Sequence, residues 1–203
     1  MKLQAKTSQF SLFSFSPFFV VVALVAFAPI ASGWRSFKII FTSFPYQKSP
    51  ELMDITVQIV NNTVGGTYLT IVTQVNEDLD DVHFTYAVAL ETNVGNYTTL
   101  VNRTVNWCKF LKQRSIDPVL RVIYEDIQKH GNLFKNCPMK KGIYMVREYQ
   151  VDEEMLPNHL PEANFFVYIN FAKTKEQMIF DGKLYGKIDK SKGFNNLKMF
   201  SLG

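Results

Sequence analysis

Residues 97–112 read YTTLVNRTVNWCKFLK, and the fold turns on how that stretch is taken. It opens with the period-two alternation of a half-buried strand. Tyr97, Val101, Val105 and Trp107 share one side, with Asn96, Asn102, Thr104 and Asn106 on the other. It then enters Cys108, one of only two cysteines. The second, Cys137, lies in NLFKNCP, and the segment between them reads as a helix. Asp117 is its N-cap, and Pro118 takes the first helical position, where a missing N–H costs nothing. Leu120, Ile123, Tyr124 and Ile127 follow at helical spacing as a packing face, and Gly131 is a natural C-terminal stop.

Strands flank this block on both sides. Residues 34–46 are aromatic and apolar and suit an edge strand. Met53, Ile55, Val57 and Ile59 alternate with polar residues, and Leu69, Ile71 and Val75 do so after the Asn61–Gly66 turn. Phe84, Tyr86, Val88 and Leu90 lie opposite His83, Thr85, Ala87 and Ala89. Past Cys137, Ile143, Met145, Tyr149 and Val151 read as one inward face. Phe165, Val167, Ile169 and Phe171 alternate most cleanly. Phe180, Leu184 and Ile188 continue on the last strand, where Gly182 and Gly186 mark bulges or close backbone approach. Short antiparallel strands around one helix predict a mainly β fold, an antiparallel β-sandwich with its α-helix between the two cysteines.

The compartment follows from the beginning of the 203-residue chain. Lys2 and Lys6 precede the apolar run 18–28, which ends at Pro29 and small residues. That is the layout of a secretory signal peptide, expected over residues 1–33, with the domain over 34–190 and a tail over 191–203. The run is short for a bilayer span, which needs about 20 residues, although an uncleaved anchor is the rival reading. Two cysteines in a secreted chain most simply form one disulfide, Cys108–Cys137; a reactive thiol is the competing reading. Sequons at Asn61, Asn96 and Asn102 agree with secretion. Without Lys2 and Lys6 the net charge of +4 drops to +2, too mild to invoke nucleic acid.

Chemistry is harder to find. His83, His130 and His159 are far apart in sequence and fit no metal pattern, and no serine sits in a nucleophile elbow. Asp152, Glu153 and Glu154 read as a solvated loop, since the calcium-loop spacing is missing. We therefore expect no enzyme, no catalytic residue, no metal and no cofactor. Aromatic residues on the inward sides of the strands have two readings. They either fill a core or line a pocket where the sheets splay, and Phe84, Tyr86, Val88, Trp107, Phe165, Val167 and Ile169 are the candidate lining.

The block Asn102–Leu111, with Pro118-Val119-Leu120, Asn132-Leu133, Cys137-Pro138, Gly142 and Leu156-Pro157, resembles a family of secreted insect proteins of the CheB chemosensory type. The chain departs from that pattern at residues 161–165, PEANF, where the family has Pro-x-Gly-x-Tyr. The family is in turn similar to the ML lipid-recognition proteins and the ganglioside activator, immunoglobulin-like sandwiches that hold a lipid between their sheets. The resemblance implies an extracellular binder of a hydrophobic small molecule, a lipid or cuticular hydrocarbon, in chemosensation. The alternative is an extracellular protein-interaction module, or a cofactor of a membrane receptor or channel, without a ligand.

Overall fold

A computed structural model describes residues 37–62, 66–157, 159–173 and 177–190. The leader expected over 1–33 and the tail expected over 191–203 lie outside the described residues.

Nine strands are laid out in chain order: β1 (Lys38–Ser43), β2 (Tyr46–Lys48), β3 (Met53–Asn62), β4 (Gly66–Val75), β5 (His83–Asn93), β6 (Asn96–Asn106), β7 (Gly142–Tyr149), β8 (Ala163–Ala172) and β9 (Met178–Asp189). Between β6 and β7 stand a short helix α1 (Trp107–Lys112) and the longer α2 (Pro118–Ile127). Every pairing is antiparallel. The larger sheet runs β1-β9-β8-β5-β6, with β2 also on β9, and the smaller runs β3-β4-β7. This is the two-sheet, mainly β architecture that the alternation predicts.

Local physics sets the elements. On β3, Met53 and Ile55 are buried while Asp54 and Thr56 face water, so the register follows from which face must leave solvent. Asp117 caps α2 by accepting from Leu120 N (3.0 Å), with Pro118 in the first turn. Leu120 and Tyr124 turn inward. Cys108 and Cys137 are bonded, with Cα atoms 5.5 Å apart and a sequence separation of 29. Closing that loop stabilises the fold by about 3.5 kcal/mol in the chain-entropy model.

The core spans both sheets. One cluster joins Met53 and Val75 of the small sheet to Phe84, Tyr86 and Phe180 of the large one, and to Trp107, Phe110, Leu120 and Tyr124 of the helices. A second joins Phe37, Ile39 and Phe41 to Leu69, Val146, Phe165 and Leu184. The sheets are bolted together along β1 and β2. Phe41 N donates to the buried Thr67 Oγ1 (2.7 Å), and Lys48 Nζ donates to Ile55 O (2.9 Å).

Two alternations change phase where the sequence shows no break. Val88 pairs with Val101 but Ala89 pairs with Thr99, so Leu100 is an extra residue in β6. This bulge carries Tyr97 to the outer face, where its ring meets Phe166 (5.1 Å), away from the side of Val101. On β7 the expected inward set Ile143, Met145, Tyr149 and Val151 is half wrong. Ile143 is 61% exposed, whereas Val146 is buried. Tyr144 shares the inward phase and packs on Phe134. An irregularity near Glu148 (φ 49°) then returns Tyr149 to the core.

Gly186 on β9 resolves as close approach. A Cβ there would lie 2.3 Å from Phe165 Cζ and 2.8 Å from Ile40 O, so only hydrogen fits under that ring.

Candidate functional site

The seven candidate lining residues come from β5, β8 and the start of α1, and cross-strand pairing places the β5 and β8 members on one face. Tyr86 pairs with Ile169 and Val88 with Val167. Phe84 and Tyr86 sit in the same cluster as Met53 and Val75, so this is the inner face of the larger sheet.

The seven divide by environment. Phe84, Tyr86 and Trp107 belong to an aromatic end beneath the helices, and each is buried. Phe84 lies 5.2 Å from Trp107 and 4.7 Å from Phe171, and Trp107 lies 5.5 Å from Phe110 and 5.7 Å from Tyr124, mostly tilted or edge-on. Such offset ring pairs contribute about 0.5–1.5 kcal/mol each beyond their buried area. Phe165 is also buried, over Gly186. These four side chains pack as core.

Val88, Val167 and Ile169 are only half-buried. Two residues absent from the candidate set join them. Val101 pairs with Val88 across the β5–β6 ladder, and Leu90 follows Val88 on the same face; both are half-buried. Val101, Val88 and Val167 thus form a row across three strands, with Leu90 and Ile169 on either side along the chain. The result is a contiguous aliphatic surface on the inner face, incompletely covered by the rest of the protein. Leu90 and Val101 were missed because each looks like any other alternating residue until its cross-strand partner is known.

Polar groups around the aromatic end are local supports. Tyr86 Oη donates to both carboxylate oxygens of Asp117 (2.9 Å each), so one buried acid holds β5 and caps α2 at once. Burial, reinforced by that carboxylate, pushes the Tyr86 phenol well above its ordinary range. Tyr149 is raised in the same way, by burial first and then by the charge of Asp126. Trp107 Nε1 is buried and has no partner among the described residues.

The outer face of the larger sheet is half-covered by Phe166, with Tyr97 and Tyr185 beside it and Lys183 Nζ 5.0 Å from its centroid. There Tyr168 Oη donates to Asp181, and burial together with that acid pushes the phenol up to about 12.

Among the described residues, no group of three His, Cys, Asp or Glu side chains is placed to hold a metal ion. Asp152 instead caps a short 3-10 turn, accepting from Glu154 N (2.9 Å). A surface depression of about 390 Å³ lies against β7, lined by Gly131, Asn132, Ile143, Met145 and Arg147, none of them in the candidate set. Helix α2 and the turn before it carry apolar residues on their solvent side: Ile116, Val119, Val122 and Ile123 are 36–47% exposed. Ile123, expected in the packing face, sits at the margin of this strip.

Fold and site together define a disulfide-clipped antiparallel sandwich with a filled aromatic end and an under-covered aliphatic inner face. Residues 82–167 match the model of a family described as "Protein of unknown function (DUF1091)". The matched segment runs from the approach to β5, through both cysteines and the helices, to the middle of β8, and amounts to less than half of the chain. No curated protein matches the sequence. Among the described residues no helix is long and apolar enough to cross a membrane.

Proposed function

We propose that this chain is a secreted glycoprotein that binds an apolar small molecule, a lipid or a molecule of the cuticular-hydrocarbon type, against the inner face of its larger sheet. One observation carries the reading: Val88, Leu90, Val101, Val167 and Ile169 are contiguous, aliphatic and inward-facing, yet half-covered. Each square ångström of such surface that a ligand removes from water gains about 25 cal/mol, so the patch rewards any greasy molecule that fits it. Chemosensation as the setting, and the likeness to lipid-holding sandwiches, rest on the CheB-type resemblance of the Cys108–Cys137 block.

A fluorescent fatty-acid titration of the secreted protein tests this. Saturable enhancement that falls at least tenfold in affinity in Val88→Asp, with unchanged circular dichroism, supports binding at the inner face. A flat titration of the folded protein overturns it.

A second reading has its own observation. The exposed strip Ile116, Val119, Val122 and Ile123 suits an interaction module that docks on a receptor or channel. Under that reading Val119→Asp with Ile123→Asp abolishes partner capture, and Val88→Asp leaves it intact.

A further inference from the structure

The two sheets have four edges: β1 with β2 along one side of the larger and β6 along the other, and β3 and β7 in the smaller. A terminal strand presents unpaired N–H and C=O groups and is a template for a strand of another molecule. Two of the four edges are closed by the chain itself. On β1, Thr67 Oγ1 accepts from Phe41 N (2.7 Å) and points its hydroxyl at Ile39 O (3.5 Å). On β7, Asn132 mimics a neighbouring strand. Its N–H donates to Met145 O (3.0 Å), its Oδ1 accepts from Met145 N (2.7 Å), and its Nδ2 donates to Ile143 O (3.2 Å).

The remaining two edges are treated differently. Among the described residues β3 is clamped at its start, where Met53 N donates to Ser49 O (2.9 Å) and Lys48 Nζ donates to Ile55 O (2.9 Å). Further along, Val60 and Asn61 are exposed. β6 is exposed at every residue from Asn96 to Leu100 and again from Asn102 to Thr104. In eleven residues it has a single charge, Arg103, and no proline, so only that arginine and the bulge at Leu100 blunt this edge. All three sequons fall on these two strands: Asn61 on β3, and Asn96 and Asn102 on β6, with the asparagines of each exposed. No sequon falls on β1 or β7.

We infer that N-linked glycans are the edge guards of this sandwich, doing for β3 and β6 what Thr67 and Asn132 do for β1 and β7. An N-glycan is bulky and strongly hydrated, so a strand approaching β6 has to pass a group that cannot be desolvated. The occupant kept out is the β6 of a second copy, which would extend the larger sheet across two molecules. The inference rests on the secretory reading, since these sugars are added only in the secretory pathway.

The test uses the full chain secreted from a eukaryotic host. Site-by-site mass spectrometry is expected to find sugar on Asn102 and at least one other sequon, and light scattering to find a monomer. Endoglycosidase trimming of the folded protein to one sugar per site, or Thr98→Ala with Thr104→Ala, is expected to shift the population to twice the monomer mass or beyond. Leu100→Lys, a charge at the exposed bulge of β6, is expected to restore the monomer in both trimmed forms. Empty sequons on a secreted chain, a trimmed protein that stays monomeric, or association that Leu100→Lys does not reverse would each overturn the edge-guard role alone. A chain that never enters the secretory pathway would overturn the secretory reading with it.

Discussion

The aromatic end and the aliphatic inner surface are built on the same strand of the same sheet, four residues apart, and they behave as opposites. At Phe84 and Tyr86 the inner face of β5 is closed by Trp107, Phe110, Phe171 and Tyr124, with a buried acid to satisfy the one phenol. At Val88 and Leu90 the same face carries side chains that are only partly buried. Identical alternation therefore yields either core or candidate site. The outcome depends on what lies above: the helices bury one half, and among the described residues the other half is covered only in part.

Substitutions sharpen that contrast. Phe110, fully buried among the rings, is expected to destabilise by about 3–5 kcal/mol when changed to Ala in chemical denaturation, while Val88→Ala should lose about 1 kcal/mol or less. Comparable losses per methylene at the two sites would mean that Val88 is packed as tightly as the core, and would break the distinction. Removing the disulfide as Cys108→Ala with Cys137→Ala should lower stability by about 3.5 kcal/mol, since it ties α1 to the loop before β7 and closes the segment that carries α2. Ligand uptake should survive in the fraction that remains folded. Asp117→Ala removes a helix cap and orphans the Tyr86 phenol together. A loss of about 2–3 kcal/mol is expected, with most of it recovered when Tyr86→Phe is added. Additive losses in that double variant would contradict the pairing.

The smallest effect is on pH dependence. Tyr86, Tyr149 and Tyr168 all hold their protons more tightly folded than unfolded, where the phenol titrates near 10.0. Their contribution is fully present below that value and is lost as pH rises, through about 12 for Tyr168 and beyond for the other two. The melting temperature should thus begin to fall only above pH 10. Tyrosinate absorbance should show Tyr86, under the aromatic end, titrating after Tyr168 on the outer face.

Much of this architecture could be read from residue order because its causes are local. The Asp117-Pro118 start of α2, the alternation on β3 and the pairing of two lone cysteines each need only neighbours in sequence or simple arithmetic. What escaped is what depends on partners across strands. The extra residue at Leu100 and the left-handed Glu148 each reverse a face, and neither carries the glycine that usually advertises such a break. Gly186 did advertise itself, but only the Phe165 ring above it decides between bulge and close approach. The candidate site was half legible for the same reason. Alternation found the inward face at Phe84 through Ile169, but coverage separates its aromatic members from Val88, Val167 and Ile169, and cross-strand pairing adds Val101.

The most direct test is whether the partly covered face holds a guest. Native mass spectrometry of the secreted, glycan-trimmed protein should show a bound species of lipid-like mass that organic extraction releases and that Val88→Asp with Val167→Asp abolishes. A folded wild-type protein that carries no such mass and takes up none from a lipid mixture would contradict it.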